Sequence, residues 1–167
     1  EPFETSLLLA LLRQGDVFVD VGANIGYFSV LAASCVGDTG EVFAFEPDPE
    51  NFRLLLANIA LNGVEHRVRP VAAALSDVAG RGHLYLSTDN LGDHRVYDAD
   101  EPRDSVPIVL HRGSEFLAGS LARVDLLKVD TQGSEFQVIA GLMPLLRMQS
   151  PPPRVLIELT PHALRQA

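Results

Sequence analysis

The feature that most constrains this chain is the run Val17-Phe18-Val19-Asp20-Val21, followed at once by Gly22-Ala23-Asn24-Ile25-Gly26. The first half shows no polar alternation before Asp20, the pattern of a strand buried on both faces, as in parallel sheets. The second half is a glycine turn, and Tyr27–Val36 behind it reads as a helix. Parallel strands need long crossovers, usually helices, so such a unit has to repeat. It does. Glu41–Glu46 reads as a strand, Pro49–Asn62 as a helix and Arg67–Leu75 as a third strand. Pro49 suits a first helical turn, where its missing N–H is harmless, and Asn62-Gly63 is a helix stop. Ahead of these, Phe3–Arg13 carries Leu7, Leu8, Leu11 and Leu12 at helical spacing, with Gly15 and Asp16 ending it. The expectation is an α/β fold, a Rossmann-like, mostly parallel sheet with right-handed crossovers.

The middle of the chain departs from this rhythm. Gly82–Ser87 and Val106–Leu110 read as strands around the polar stretch Thr88–Asp104. The segment of about 82–110 is therefore an inserted hairpin or loop over one end of the sheet, either a solvated surface loop or a substrate contact. Regular order returns with a strand at Val124–Asp130, a helix at Glu135–Leu146 and a strand at Arg154–Leu159, which follows three prolines. At 167 residues, positions 1–167 are expected to form a single domain.

Composition narrows the partners. A net charge of −9 argues against broad nucleic-acid contact, which draws its affinity from Lys and Arg, but leaves room for a small cationic ligand. No apolar run approaches the roughly 18 residues that cross a bilayer, so no membrane is expected. The single cysteine, Cys35, permits no intrachain disulfide. It reads as a core thiol, and the cytoplasm is the expected compartment.

The glycine turn lies where open α/β sheets bind ligands, beyond the carboxyl ends of the strands. Glu46 ends the next strand twenty positions after Gly26, the usual place of an acid that binds a ribose diol. A dinucleotide fits less well. The spacing is Gly-x-x-x-Gly, which lacks the middle glycine of a pyrophosphate cradle. Asp20 just before the turn would repel a diphosphate and attract a sulfonium. At about 4 Å and an effective dielectric near 20, such a pair is worth roughly 4 kcal/mol before desolvation. The charge sign favours S-adenosylmethionine over NAD. An NAD-linked oxidoreductase and a catalytically silent binding domain are the alternatives.

Several motifs run in one order: Asp20–Gly26 with Tyr27-Phe28-Ser29, Phe45-Glu46-Pro47, Asn58–Gly63, Ala73–Asp77 and Leu127–Glu135. In this order they resemble the FkbM-type methyltransferases, over about Glu1 to Leu159. The resemblance implies a class I methyltransferase sheet, S-adenosylmethionine as methyl donor and S-adenosylhomocysteine as product. It also implies O-methylation of a hydroxyl on a small natural product or a sugar. By position it implies that Asp20, Gly22, Ala23, Asn24, Gly26 and Tyr27 surround the methionine part. Glu46 and Pro47 would take the ribose, Ala74, Leu75 and Asp77 lie near the adenine, and Asp130 faces the transferred methyl. The family commonly has an acid where Gln132 stands. The resemblance also implies a further helix and a final two-strand hairpin. Either the chain is C-terminally truncated, or the sheet ends in an exposed edge through which copies could associate.

A hydroxyl nucleophile must shed a proton, and Asp130, Glu135 and His94 are the candidate general bases. Glu135 has a second reading, in the first turn of its helix. His94 matters only if the excursion folds over the site. Lys128 shares a strand face with Asp130 and needs a buried partner, for which Asp130 and Glu158 are candidates. No ligand spacing calls for a metal, although Asp130, Glu158 and an excursion carboxylate would suit Mg²⁺.

Overall fold

In the computed structural model, residues 2–86, 96, 104–121 and 123–159 are described. Helix α1 (Pro2–Leu11) precedes strand β1 (Val17–Val21), helix α2 (Tyr27–Val36), strand β2 (Glu41–Phe45), helix α3 (Pro49–Leu61) and strand β3 (Val68–Val71). Strands β4 (Ala74–Ser76), β5 (Gly80–Tyr85) and β6 (Ser105–Arg112) follow, then helix α4 (Gly113–Ala118). The chain continues through strand β7 (Leu126–Val129), helix α5 (Glu135–Met148) and strand β8 (Arg154–Ile157).

Five strands form one sheet in the order β3-β2-β1-β7-β8, every pairing parallel. The period-two side-chain pattern splits its core cleanly. Phe18, Val42, Ala44 and Leu126 face α1, α2 and α3 on one side. Val19, Val21, Phe43, Phe45, Leu127 and Val129 face α4 and α5 on the other. From β1 the chain steps outward to β2 and β3, and β7 and β8 lie on the opposite side. The switch point, where a crevice opens at the strand ends, therefore falls between β1 and β7.

The insertion is a sheet of its own. Strand β5 pairs antiparallel with β6, and β4 pairs parallel with β6, in the order β4-β6-β5. One expectation is corrected here. Arg67–Leu75 is not one strand. It stops at Val71, turns through a bond from the Ala73 N–H to the Val71 carbonyl at 2.9 Å, and restarts as β4 in the second sheet. The cause is β6, a partner more than thirty residues downstream, which local periodicity cannot report. Helix α4 was not anticipated, because six residues are too few to show a helical period. Against it, α5 presses on β4 so closely that a methyl at Gly141 would stand 1.9 Å from the Ser76 carbonyl oxygen. Helix α5 thus fastens the second sheet to the first. The stretch 87–103, apart from Val96, lies outside the described residues, and so does His94.

Candidate active site

Three neighbouring strands end at one level, and the first residue past each is Gly22, Glu46 or Asp130. These tips surround a partly open cleft beyond the carboxyl ends of the strands, where open α/β sheets bind ligands. Its walls come from the Gly22 turn with Asn24, from Glu46, Pro47 and Asn51, and from Asp130, Thr131, Gln132 and Ser134. Ala74 and Leu75 of β4, Leu84 of β5 and Val96 close it on the side of the second sheet.

At the tip of β2 the backbone encloses the Glu46 carboxylate. Oε2 accepts the Asn24 N–H at 2.7 Å and Oε1 accepts the Asp48 N–H at 2.9 Å. Asn24 reaches it from a left-handed conformation, φ 52°, which Asn adopts more readily than most residues. Asp48 caps α3, its Oδ1 accepting the Glu50 and Asn51 N–H groups. Burial pushes the Glu46 carboxyl up to about 7, against the two backbone bonds that stabilise its charge. A carboxylate offers about four acceptor positions, so two remain for hydroxyl donors. That is what a ribose diol needs, and the residues present fit such a group.

The Gly22 turn is also required by the packing of the strand tips. Gly22 holds φ 82°, and a Cβ there would lie 1.9 Å from the Asp130 carbonyl oxygen. The glycine lets the tips of β1 and β7 meet. Gly26 likewise packs on Leu55 of α3. Neither Gly26 nor the buried Ala23 lines the cleft.

Asp130 is the partly open acid, with 21% of its side chain exposed. Oδ2 lies 3.3 Å from the Lys128 ammonium, and Oδ1 accepts from the Gln132 amide at 3.0 Å. Gln132, at φ 54°, turns the loop back over the cleft. The expected Lys128–Asp130 pairing is present, and Asp20 joins it. Lys128 and Asp20 are paired across β7 and β1, with Nζ 3.9 Å from Oδ1. Burial pulls the Lys128 ammonium down, but Asp20 and Asp130 outweigh it and hold it above its ordinary value. Burial pushes Asp20 up, opposed by Lys128 and by the Ser29 hydroxyl, which donates to Oδ2 at 2.6 Å.

Asp20 is therefore not the free anion expected at the turn. It is fully buried, already has a counter-charge, and does not line the cleft. Tyr27 is also elsewhere, exposed on α2 with its hydroxyl 3.1 Å from that of Thr5. Asp77 accepts from the Ser76 hydroxyl at 3.1 Å and is exposed off the cleft wall. Glu135 opens helix α5. Its buried Oε1 accepts the Thr131 N–H, the Thr131 hydroxyl and the Gly133 N–H, so it braces the loop after β7. Wall residues that sequence reasoning missed are Asn51, Leu84, Val96, Thr131, Gln132 and Ser134. The polar run directly after Asp130 was the available signal. Among the described residues, no three His, Cys, Asp or Glu side chains gather as metal ligands would. None of their helices is long and apolar enough to cross a membrane.

The family described as the methyltransferase FkbM domain matches residues 20–164, from the tip of β1 past β8. The chain belongs to the FkbM methyltransferase family. Among its relatives, 31-O-demethyl-FK506 methyltransferase FkbM of Streptomyces tacrolimicus is 32% identical over 159 residues, covering 78% of this chain. Hexuronic acid methyltransferase AglP of Haloferax volcanii is 32% identical over 139 residues, covering 81% of it. The chain spans 61% and 54% of the lengths of those two proteins. A solved SAM-dependent O-methyltransferase from Thermotoga maritima shares its fold, with a TM-score of 0.58 and 19% identity over 99% of this chain and 47% of its own.

Proposed function

We propose that the cleft binds S-adenosylmethionine and that the protein transfers its methyl group to a hydroxyl oxygen of a small natural product or a sugar. The observation that carries this reading is the Glu46 carboxylate, lining the cleft beside the Gly22 turn with two acceptor positions unused. Membership of the FkbM family supports the reaction class, and the names of the two relatives support a hydroxylated acceptor.

In this reading Glu46 receives the ribose hydroxyls, and Ala74 and Leu75 lie against the base. When bound, the cofactor supplies an electrophilic methyl on a positively charged sulfur. Asp130 would face that charge and would take up the proton that the acceptor hydroxyl releases, as the methyl carbon–sulfur bond is exchanged for a carbon–oxygen bond and the sulfur leaves as the neutral thioether of S-adenosylhomocysteine. A positioned general base of this kind contributes roughly 10²- to 10⁴-fold. Gln132 holds Asp130 by a hydrogen bond from its amide.

Calorimetry with S-adenosylmethionine and S-adenosylhomocysteine tests the reading. Glu46→Ala should weaken both by about tenfold or more, equivalent to about 1.4 kcal/mol. Asp130→Asn should weaken the charged ligand by roughly tenfold and the neutral one by less than about threefold, because charge attraction is lost. Equal affinities for wild type and Glu46→Ala would remove the cleft as the cofactor site.

A further inference from the structure

Lys128 and Asp20 interrupt an otherwise apolar layer. Their strand neighbours on the helix-facing side are Phe18, Val42, Ala44 and Leu126. Stability does not call for ions there. Desolvating two charges costs about what their attraction returns, and well-packed apolar side chains often serve equally well or better.

The surroundings of the ammonium suggest another use. Asp20 from β1 lies behind it, fixed in turn by the Ser29 hydroxyl of α2. The Phe28 ring of α2 lies beneath it, with Nζ 4.8 Å from the ring centroid. Glu158, just past β8, adds negative potential. With Lys128 only 4% exposed, the ammonium has little freedom to move. On the cleft side it meets Asp130, which lines the cleft.

We propose that Lys128 is a positioning residue for the cleft: its ammonium, immobilised by Asp20 and Phe28, fixes the orientation of the Asp130 carboxylate toward the ligand. The inference rests on reading the cleft as the cofactor site. Lys128 touches no ligand in this account and acts through Asp130. Without the ammonium, Asp20 loses its counter-charge and favours its neutral form, so the net charge beside the cleft is largely kept. The loss then falls on the geometry of Asp130, which among the described residues retains the Gln132 amide as its side-chain partner.

A double-mutant cycle on the full chain tests this, read by calorimetry with S-adenosylmethionine. Lys128→Met should weaken binding at least about fivefold in the wild-type background and less than about twofold in the Asp130→Asn background. Equal losses in both backgrounds would overturn the proposal, since Lys128 would then act on the fold at large. If Lys128→Met alone does not fold, Asp20→Asn/Lys128→Met against Asp20→Asn makes the same comparison without a stranded buried charge. In the wild type, the Lys128 ¹⁵Nζ resonance should shift when S-adenosylmethionine is added, and an unmoved resonance counts against the proposal. A wild type that binds no S-adenosylmethionine removes the cofactor reading and this proposal together. Binding with additive losses removes this proposal alone.

Discussion

At the scale of single residues, the carboxylates at this site differ because their surroundings differ. Glu46 is buried and held by two backbone donors, while Asp130 is partly open and held by side chains. The Glu46 carboxyl rises from 4.5 to about 7, so the folded state binds its proton more tightly than the unfolded chain does. The stability this group contributes is fully present below its unfolded value and is lost as pH rises through about 7. Between pH 5 and 8 the wild type should therefore lose roughly 2–3 kcal/mol relative to Glu46→Gln, measured by urea unfolding. Parallel pH curves for the two proteins would refute the burial argument. Glu46, by its spacing from the glycine turn, and Asp130, by the resemblance, were legible at strand ends, and both line the cleft. Asp20 was not legible as a structural ion. Its partner Lys128 lies 108 positions away, and only the β1–β7 register brings them together.

At the scale of elements, strands with full apolar runs and helices with recognisable caps could be read directly. Strands β1 and β2 and the start of α3 stand where their residues place them, and the Asp48-Pro49 pair explains the last. The division of Arg67–Leu75 between two sheets and the short α4 were hidden, because pairing over long separations and single helical turns leave no local period. The junction of β1 with β7 is the element-level feature most open to test. A methyl at Gly22 must both hold a left-handed backbone and displace the Asp130 carbonyl. Gly22→Ala is expected to cost about 3 kcal/mol or more, since strain and overpacking add. Thermal unfolding checks this. A variant as stable as wild type would mean that the tips of β1 and β7 need not approach so closely.

For the whole molecule, a ligand held between Glu46 and Asp130 bridges strands from both sides of the switch point and binds only the folded chain. At a hundred times its dissociation constant it should add about 2.7 kcal/mol, and thus raise Tm by roughly 5–10 °C for a protein of this size. In a thermal-shift comparison S-adenosylmethionine should do so, and NAD at the same concentration should not. The reverse result would restore the oxidoreductase reading. The second sheet is not an appendage to this cleft, because β4 is paired to β6 while its Ala74 and Leu75 form part of the wall. Anyone grafting the β5–β6 ribbon from one relative onto another would disturb the wall of this cleft as well. The chimaeric joint belongs between Val71 and Ala74, so that the shared strand travels with its ribbon.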